Sequence, residues 1–162
     1  MRRLRIYLDT SVVSCLDAPQ TPGRMIHTQL FWDTIKRGKY EIVISNLLLD
    51  EMNACPEPKR SFMRMKIAEV PFLARVEESV PSRALAVKYI DAGGLPPASM
   101  TDARHLAVAT LARCDSVASW NLKHMANIRA VQAVQKVNER EGYAKLDILP
   151  PFYFIEDEEG IE

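Results

Sequence analysis

Four oxygen-bearing side chains stand at comparable places along this chain. Asp9 ends the run Leu4-Arg5-Ile6-Tyr7-Leu8, and Glu51 lies within Leu47-Leu48-Leu49-Asp50-Glu51-Met52. Asp102 follows Met100-Thr101, and Asn121 follows Ser119-Trp120. If the apolar runs near them are parallel strands, all four fall beyond one shared carboxyl end, where open α/β sheets carry their chemistry. A carboxylate placed there faces a crevice rather than the core. Each residue also has a local reading: Asp9 as a turn or cap, Asp102 as a favoured helix start, Asn121 as a turn. Glu51 sits two turns into an apolar helix, where an unpaired carboxylate is costly. A nearby cation resolves that cost, and an exposed pairing with Lys59 is the local alternative. Asp50 is the neighbouring carboxylate, but it points to a different helix face.

The elements that must position these residues follow from apolar spacing. Residues 4–8 read as a buried strand, with Thr10-Ser11 turning the chain and capping a short helix over 11–17. A loop at 19–23 precedes a helix over 24–36, with Ile26, Leu30, Phe31, Trp32 and Ile35 on its apolar faces and Gly38 at its end. Residues 41–44 are a second strand, and Ser45 is the N-cap of a helix over 46–54. After Pro56-Glu57-Pro58 comes a basic helix over 59–68, with Phe62, Met63 and Ile67 facing inward. A brief extended piece at 76–80 and a helix over 82–92 follow. The helix over 101–113 is the most apolar and therefore central. Residues 117–120 are a third strand. The helix over 127–140 repeats Ile128, Val131, Val134 and Val137, Gly142 stops it, and residues 146–149 form the last strand. Strands alternating with helices predict an α/β fold: a three-layer α/β/α sandwich around a mainly parallel sheet.

The 162 residues suit one domain, read as 1–155 followed by an acidic tail at 156–162. Hydrophobic residues at 48% and charged residues at 26% describe a soluble globular chain. Zero formal net charge excludes a strongly basic nucleic-acid binder by total charge, although Arg2, Arg3 and Arg5, and Lys59, Arg60, Arg64 and Lys66, form two local basic groups. Cys15, Cys55 and Cys114 lack metal-type pairing; Cys15 and Cys114 read as core residues, and the usage predicts a cytoplasmic setting. No signal-peptide h-region and no bilayer-spanning stretch is present, so no membrane association is expected.

The segments Tyr7-Leu8-Asp9-Thr10-Ser11, Ser45 to Glu51, Thr101-Asp102-Ala103 with Leu106-Ala107-Val108-Ala109, and Ser119-Trp120-Asn121-Leu122-Lys123-His124 occur in that order. Together they resemble a PIN domain, and most of all the VapC-type toxins of bacterial toxin–antitoxin pairs, over residues 5–149. The resemblance implies a parallel sheet between helix layers with an acidic pocket, and an endoribonuclease dependent on Mg²⁺ or Mn²⁺. It carries the metal-binding role onto Asp9, Glu51 and Asp102, and a fourth catalytic position onto Asn121. Related proteins often have Asp at that fourth place, so the pocket here carries one negative charge fewer. The resemblance also implies an RNA substrate, a homodimer and a small antitoxin protein.

Such chemistry is physically coherent. Hard divalent cations take oxygen ligands, and a bound cation lowers the pKa of a water that attacks the phosphodiester. Thr10, Ser11, Ser119 and His124 are candidates to bind substrate phosphate or orient a ligand. His27 and His105 are weaker candidates; His105, one turn after Asp102, is placed to hydrogen-bond near it. A receiver-like domain is disfavoured by the absence of an acidic pair near Arg2-Arg3. A Rossmann domain is disfavoured because Thr10-Ser11-Val12-Val13 is not glycine-rich. The remaining rival is a non-catalytic PIN-like module that binds nucleic acid or a partner.

Overall fold

The computed structural model describes residues 2–156, so most of the acidic tail lies outside the described residues. Five strands, β1 (Arg5–Leu8), β2 (Glu41–Ser45), β3 (Leu73–Val76), β4 (Ser116–Ala118) and β5 (Asp147–Leu149), form one sheet in the order β3-β2-β1-β4-β5. All four pairings are parallel. The chain starts in the middle strand, builds outward on one side, then crosses to the other. β1 is therefore the spine of the sheet, with Tyr7 in register with Val43 on one side and Val117 on the other.

Alternation along β1 and β2 divides the core in two. Tyr7, Val43 and Val117 face α5 (Val80–Asp91), α6 (Met100–Leu111) and α7 (Ile128–Glu141), where they pack with Leu85, Leu106 and Val134. Ile6, Leu8, Ile42 and Ile44 face the opposite layer. That layer holds α1 (Thr10–Ser14), α2 (Pro22–Lys36), α3 (Asn46–Asn53) and α4 (Lys59–Ala68), which supply Val12, Phe31, Trp32, Leu48 and Met63. The result is a three-layer α/β/α sandwich on a wholly parallel sheet. Both faces are covered, which is why its strands read as near-continuous apolar runs. Among the described residues, no helix is long and apolar enough to cross a membrane.

Most predicted elements lie within a residue or two of their observed places, and the differences have local causes. Leu4 precedes β1 and is 47% exposed. The expected extended piece at 76–80 is displaced: β3 ends at Val76, and Val80 already opens α5. Ser79 and Ser82 form a capping box there, and Pro81 suits the first helical turn, so the helix start wins over the β-branched valine. Ile26 and Leu30 are exposed on α2, and Ile128 is exposed on the first turn of α7. Asn127 is the cap of α7 rather than part of it; its side chain accepts from the Ala130 amide. Gly142 ends α7 in the left-handed region at φ 84°, where a side chain would be strained.

Candidate active site

β1 delivers Asp9 immediately past its last pairing, and the Asp9 amide donates to the Ala118 carbonyl of β4 at 3.1 Å. The turn after β1 thus lies against the turn after β4. Two serine hydroxyls join them. Ser11 Oγ donates to Asp9 Oδ2 at 2.6 Å, and Ser119 Oγ donates to the same oxygen at 2.9 Å. Ser11 Oγ in turn accepts from the Trp120 amide at 3.0 Å, and Ser119 Oγ from the Asn121 amide at 2.9 Å. The buried Asp9 carboxylate is therefore held by its own turn and by the neighbouring one. The expected cap by Thr10 or Ser11 is absent, because Asp9 occupies the cap position of α1 and both hydroxyls reach carboxylates instead.

Glu51 comes from α3, which Ser45 starts by accepting from the Leu47 amide. Its carboxylate takes a hydrogen bond from Thr10 Oγ1 and lies 3.2 Å from His105 Nε2. The alternative pairing with Lys59 is not made: that ammonium donates to the carbonyls of Ser14 at 2.6 Å and Asp17 at 2.5 Å. Asp50 is exposed, on another face of the helix. His105, 1% exposed on α6, is the partner that resolves the cost of the Glu51 charge. Its other nitrogen lies 2.6 Å from Tyr7 Oη, which is also 2.6 Å from Ser45 Oγ. A buried chain Ser45–Tyr7–His105–Glu51 thus runs from the sheet to the carboxylate. Nε2 is also 3.9 Å from Asp9 Oδ1.

Charge states follow from these contacts. Burial opposes a charged His105, but the Glu51 hydrogen bond and the carboxylates of Asp9, Glu51 and Asp102 outweigh it and raise its pKa. Burial likewise opposes ionised Glu51, and hydrogen bonds from His105 and Thr10 outweigh it and lower its pKa. Asp102 differs. Burial and then the Asp9 charge raise its pKa, against weaker opposing effects of His105, the Asn121 amide and His124. Asp102 lies in the first turn of α6, behind Ser99 at the cap position, so it is not the cap itself. Asn121 does hold its turn, with Oδ1 accepting from the His124 amide at 3.1 Å.

Asp9, Thr10, Ser11, Glu51, Asp102, Ser119 and Asn121 therefore gather around one end of the sheet, with His124 beside them. The hydroxyls of Thr10, Ser11 and Ser119 are turned to the carboxylates. His27 lies elsewhere, its ring against Phe152. Among the described residues, no three acidic, imidazole or thiol side chains are gathered closely enough to hold a metal ion. The open clefts of about 310 Å³ beside Asn138 and Tyr143 and about 340 Å³ beside Gln29 and Phe62 are lined by other residues.

Sequence reasoning underrated His105 and missed the Glu78–Arg104 pair. Arg104 donates to both Glu78 oxygens, at 2.7 and 2.5 Å, and the Glu78 side chain is only 2% exposed. This pair clamps the start of α6 near the segment entering α5, and Asn46 Oδ1 accepts from the Glu78 amide at 2.8 Å. The only sequence sign was Arg104, beside His105 and two residues after Asp102, on a largely apolar helix. No family model matches this chain, and no curated protein matches it.

Proposed function

We propose that this chain is a metal-dependent endoribonuclease of the PIN-domain type, most like the VapC-type toxins. The observation that carries this reading is the gathering of carboxylates beyond the carboxyl end of β1, where His105 Nε2 lies 3.2 Å from Glu51 Oε1 and 3.9 Å from Asp9 Oδ1. Carboxylates gathered in a partly buried site, with Asp102 near enough to Asp9 to feel its charge, suit a divalent cation. The donor set fits Mg²⁺ or Mn²⁺, being hard oxygens without a thiolate. Asp9 and Asp102 would hold the ion, with Glu51 and the neutral oxygen of Asn121 completing the acidic set. When bound, such an ion supplies a water of lowered pKa and charge stabilisation at the scissile phosphate.

The remaining work belongs to the chain itself. Ser11 and Ser119 fix Asp9 from two separate turns. Thr10 and His105 fix Glu51, and Tyr7 fixes His105. Held by these hydrogen bonds, the groups would position substrate and disfavour alternative geometries. A homodimer, and inhibition by a small antitoxin protein, belong to the same proposal.

The neutral Asn121 at a position where related proteins often carry Asp favours the second reading, a non-catalytic module that binds RNA or a partner. One experiment separates the two. Wild type should cleave RNA with Mg²⁺ or Mn²⁺ and not with EDTA. Asp9→Asn keeps an oxygen for Ser11 and Ser119 but should lose cleavage by several hundredfold or more, since metal-centred charge stabilisation is worth several kcal/mol. Equal cleavage by mutant and wild type, or none by either, overturns the nuclease reading.

A further inference from the structure

Trp120, between Ser119 and Asn121, leads directly from the candidate site to a row of rings. Its own ring is nearly buried, and Nε1 donates to Thr28 Oγ1 at 2.8 Å. The turn Pro151–Phe154 packs on α2 and brings Phe152 beside it, with ring centres 5.8 Å apart. Tyr153 continues the row, 4.8 Å from Phe152 at an interplanar angle of 31°. His27 closes on Phe152 at 5.7 Å. Phe152 is 42% exposed and Tyr153 64%. The Arg24 guanidinium lies 5.1 Å from the centre of the Trp120 ring. Among the described residues, Arg24 has the Trp120 carbonyl as its polar partner and no carboxylate.

Two large rings left in water beside a guanidinium that has no carboxylate partner among the described residues have the composition of a nucleic-acid stacking platform. Every base offers a π-face, and the cation meets the phosphate that accompanies it. We infer that Phe152 and Tyr153, seated against the buried Trp120 ring and flanked by Arg24 and His27, form a platform for unpaired bases of a single-stranded RNA whose backbone continues into the Asp9–Asp102 site. This rests on the ribonuclease reading for its substrate class. Exposed Ile26 and Leu30 extend the apolar surface along α2, so the competing occupant is a protein, either a second copy or another chain. The cationic edge and the direct connection to Asn121 favour RNA.

The test is equilibrium binding in EDTA, by fluorescence anisotropy of a labelled oligoribonucleotide of about ten nucleotides. A matched oligomer with abasic sites removes stacking but keeps the phosphates. Tyr153→Ala and Phe152→Ala should each weaken binding about tenfold, as expected for one lost stacking contact. Tyr153→Phe should bind like wild type, and the abasic oligomer should bind weakly and equally to all. Tyr153 is mostly exposed, so Tyr153→Ala should keep the wild-type melting temperature and give a clean comparison even if Phe152→Ala is destabilised. Unchanged affinity in Tyr153→Ala, or an equal loss on the abasic oligomer, overturns the platform. A shift in oligomeric state with unchanged RNA affinity overturns it in favour of protein docking. Cleavage is scored separately with Mn²⁺. Ring-dependent binding without cleavage keeps the platform and removes the nuclease, whereas cleavage with ring-independent binding does the reverse.

Discussion

His105 Nε2 lies 3.2 Å from Glu51 Oε1, across 54 positions of sequence. This contact joins α6 to α3 above the middle of the sheet, and it gives the one deeply buried imidazole a carboxylate partner. It also ties the candidate site to the core, because the opposite ring nitrogen reaches Tyr7 on the central strand.

Tyr7→Phe tests that tie. It removes one hydroxyl and leaves the ring packing in place. The His105 Nδ1 and Ser45 Oγ groups then lose a buried partner, at a cost of about 1–3 kcal/mol. Urea unfolding should show a lower midpoint with an unchanged slope. An unchanged midpoint would mean that the chain from Ser45 to Glu51 contributes nothing to the fold.

Metal binding should appear in stability even where activity is silent. Mn²⁺ at a hundred times its dissociation constant should stabilise the folded chain by about 2.7 kcal/mol, and EDTA should reverse the rise in melting temperature. Asn121→Asp adds a charge beside Asp102, which burial and Asp9 already push towards its neutral form. The variant should melt lower without metal, by on the order of 1 kcal/mol, and gain more from Mn²⁺. Calorimetric titration checks the affinity. An identical response in both proteins would leave Asn121 as a turn residue only.

Glu78→Gln tests the clamp on α6. Hydrogen bonding from Arg104 holds Glu78 below its ordinary value of 4.5, despite the opposing effect of burial. A carboxylate with a lowered folded pKa binds fewer protons folded than unfolded. Its stabilisation is therefore complete above the unfolded value and is lost as pH falls through the folded value. The variant should be less stable at neutral pH by roughly 1–3 kcal/mol. Its stability should also fall less than wild type's between pH 5 and acid. Parallel stability–pH curves for the two proteins would contradict the assignment.

Gly94→Ala tests the close approach of the loop before α6 to α7. An added Cβ would meet the Ala133 Cβ at 2.2 Å and the Arg129 carbonyl at 2.7 Å. Backbone cannot yield as a flexible side chain would, so overpacking of about 1–3 kcal/mol is expected. Thermal melting measures it, and a wild-type midpoint would mean that the loop is free to move away.

The amino-acid sequence by itself determined the sandwich. Apolar runs such as Ile6-Tyr7-Leu8 and Ile42-Val43-Ile44 suit strands covered on both faces, and helical periods with stops at Gly38 and Gly142 alternate with them. These signals are local, so they survive without knowledge of the neighbours. β3 escaped them because it is a short edge strand whose residues are only partly covered; Leu73-Ala74-Arg75-Val76 is too short and too interrupted by Arg75 to show a period, and β2 decides its register. The same limit applies at the site. That Asp9, Asp102 and Asn121 follow strands or open helices was legible, since turn and cap chemistry is local. Which partner each group takes was not. Glu51 meets His105 rather than Lys59, and Ser11 and Ser119 share one oxygen of Asp9, only because the sheet sets β4 beside β1 and α6 above both. Such pairings depend on strand order and side-chain direction across many tens of residues, which tertiary packing alone decides.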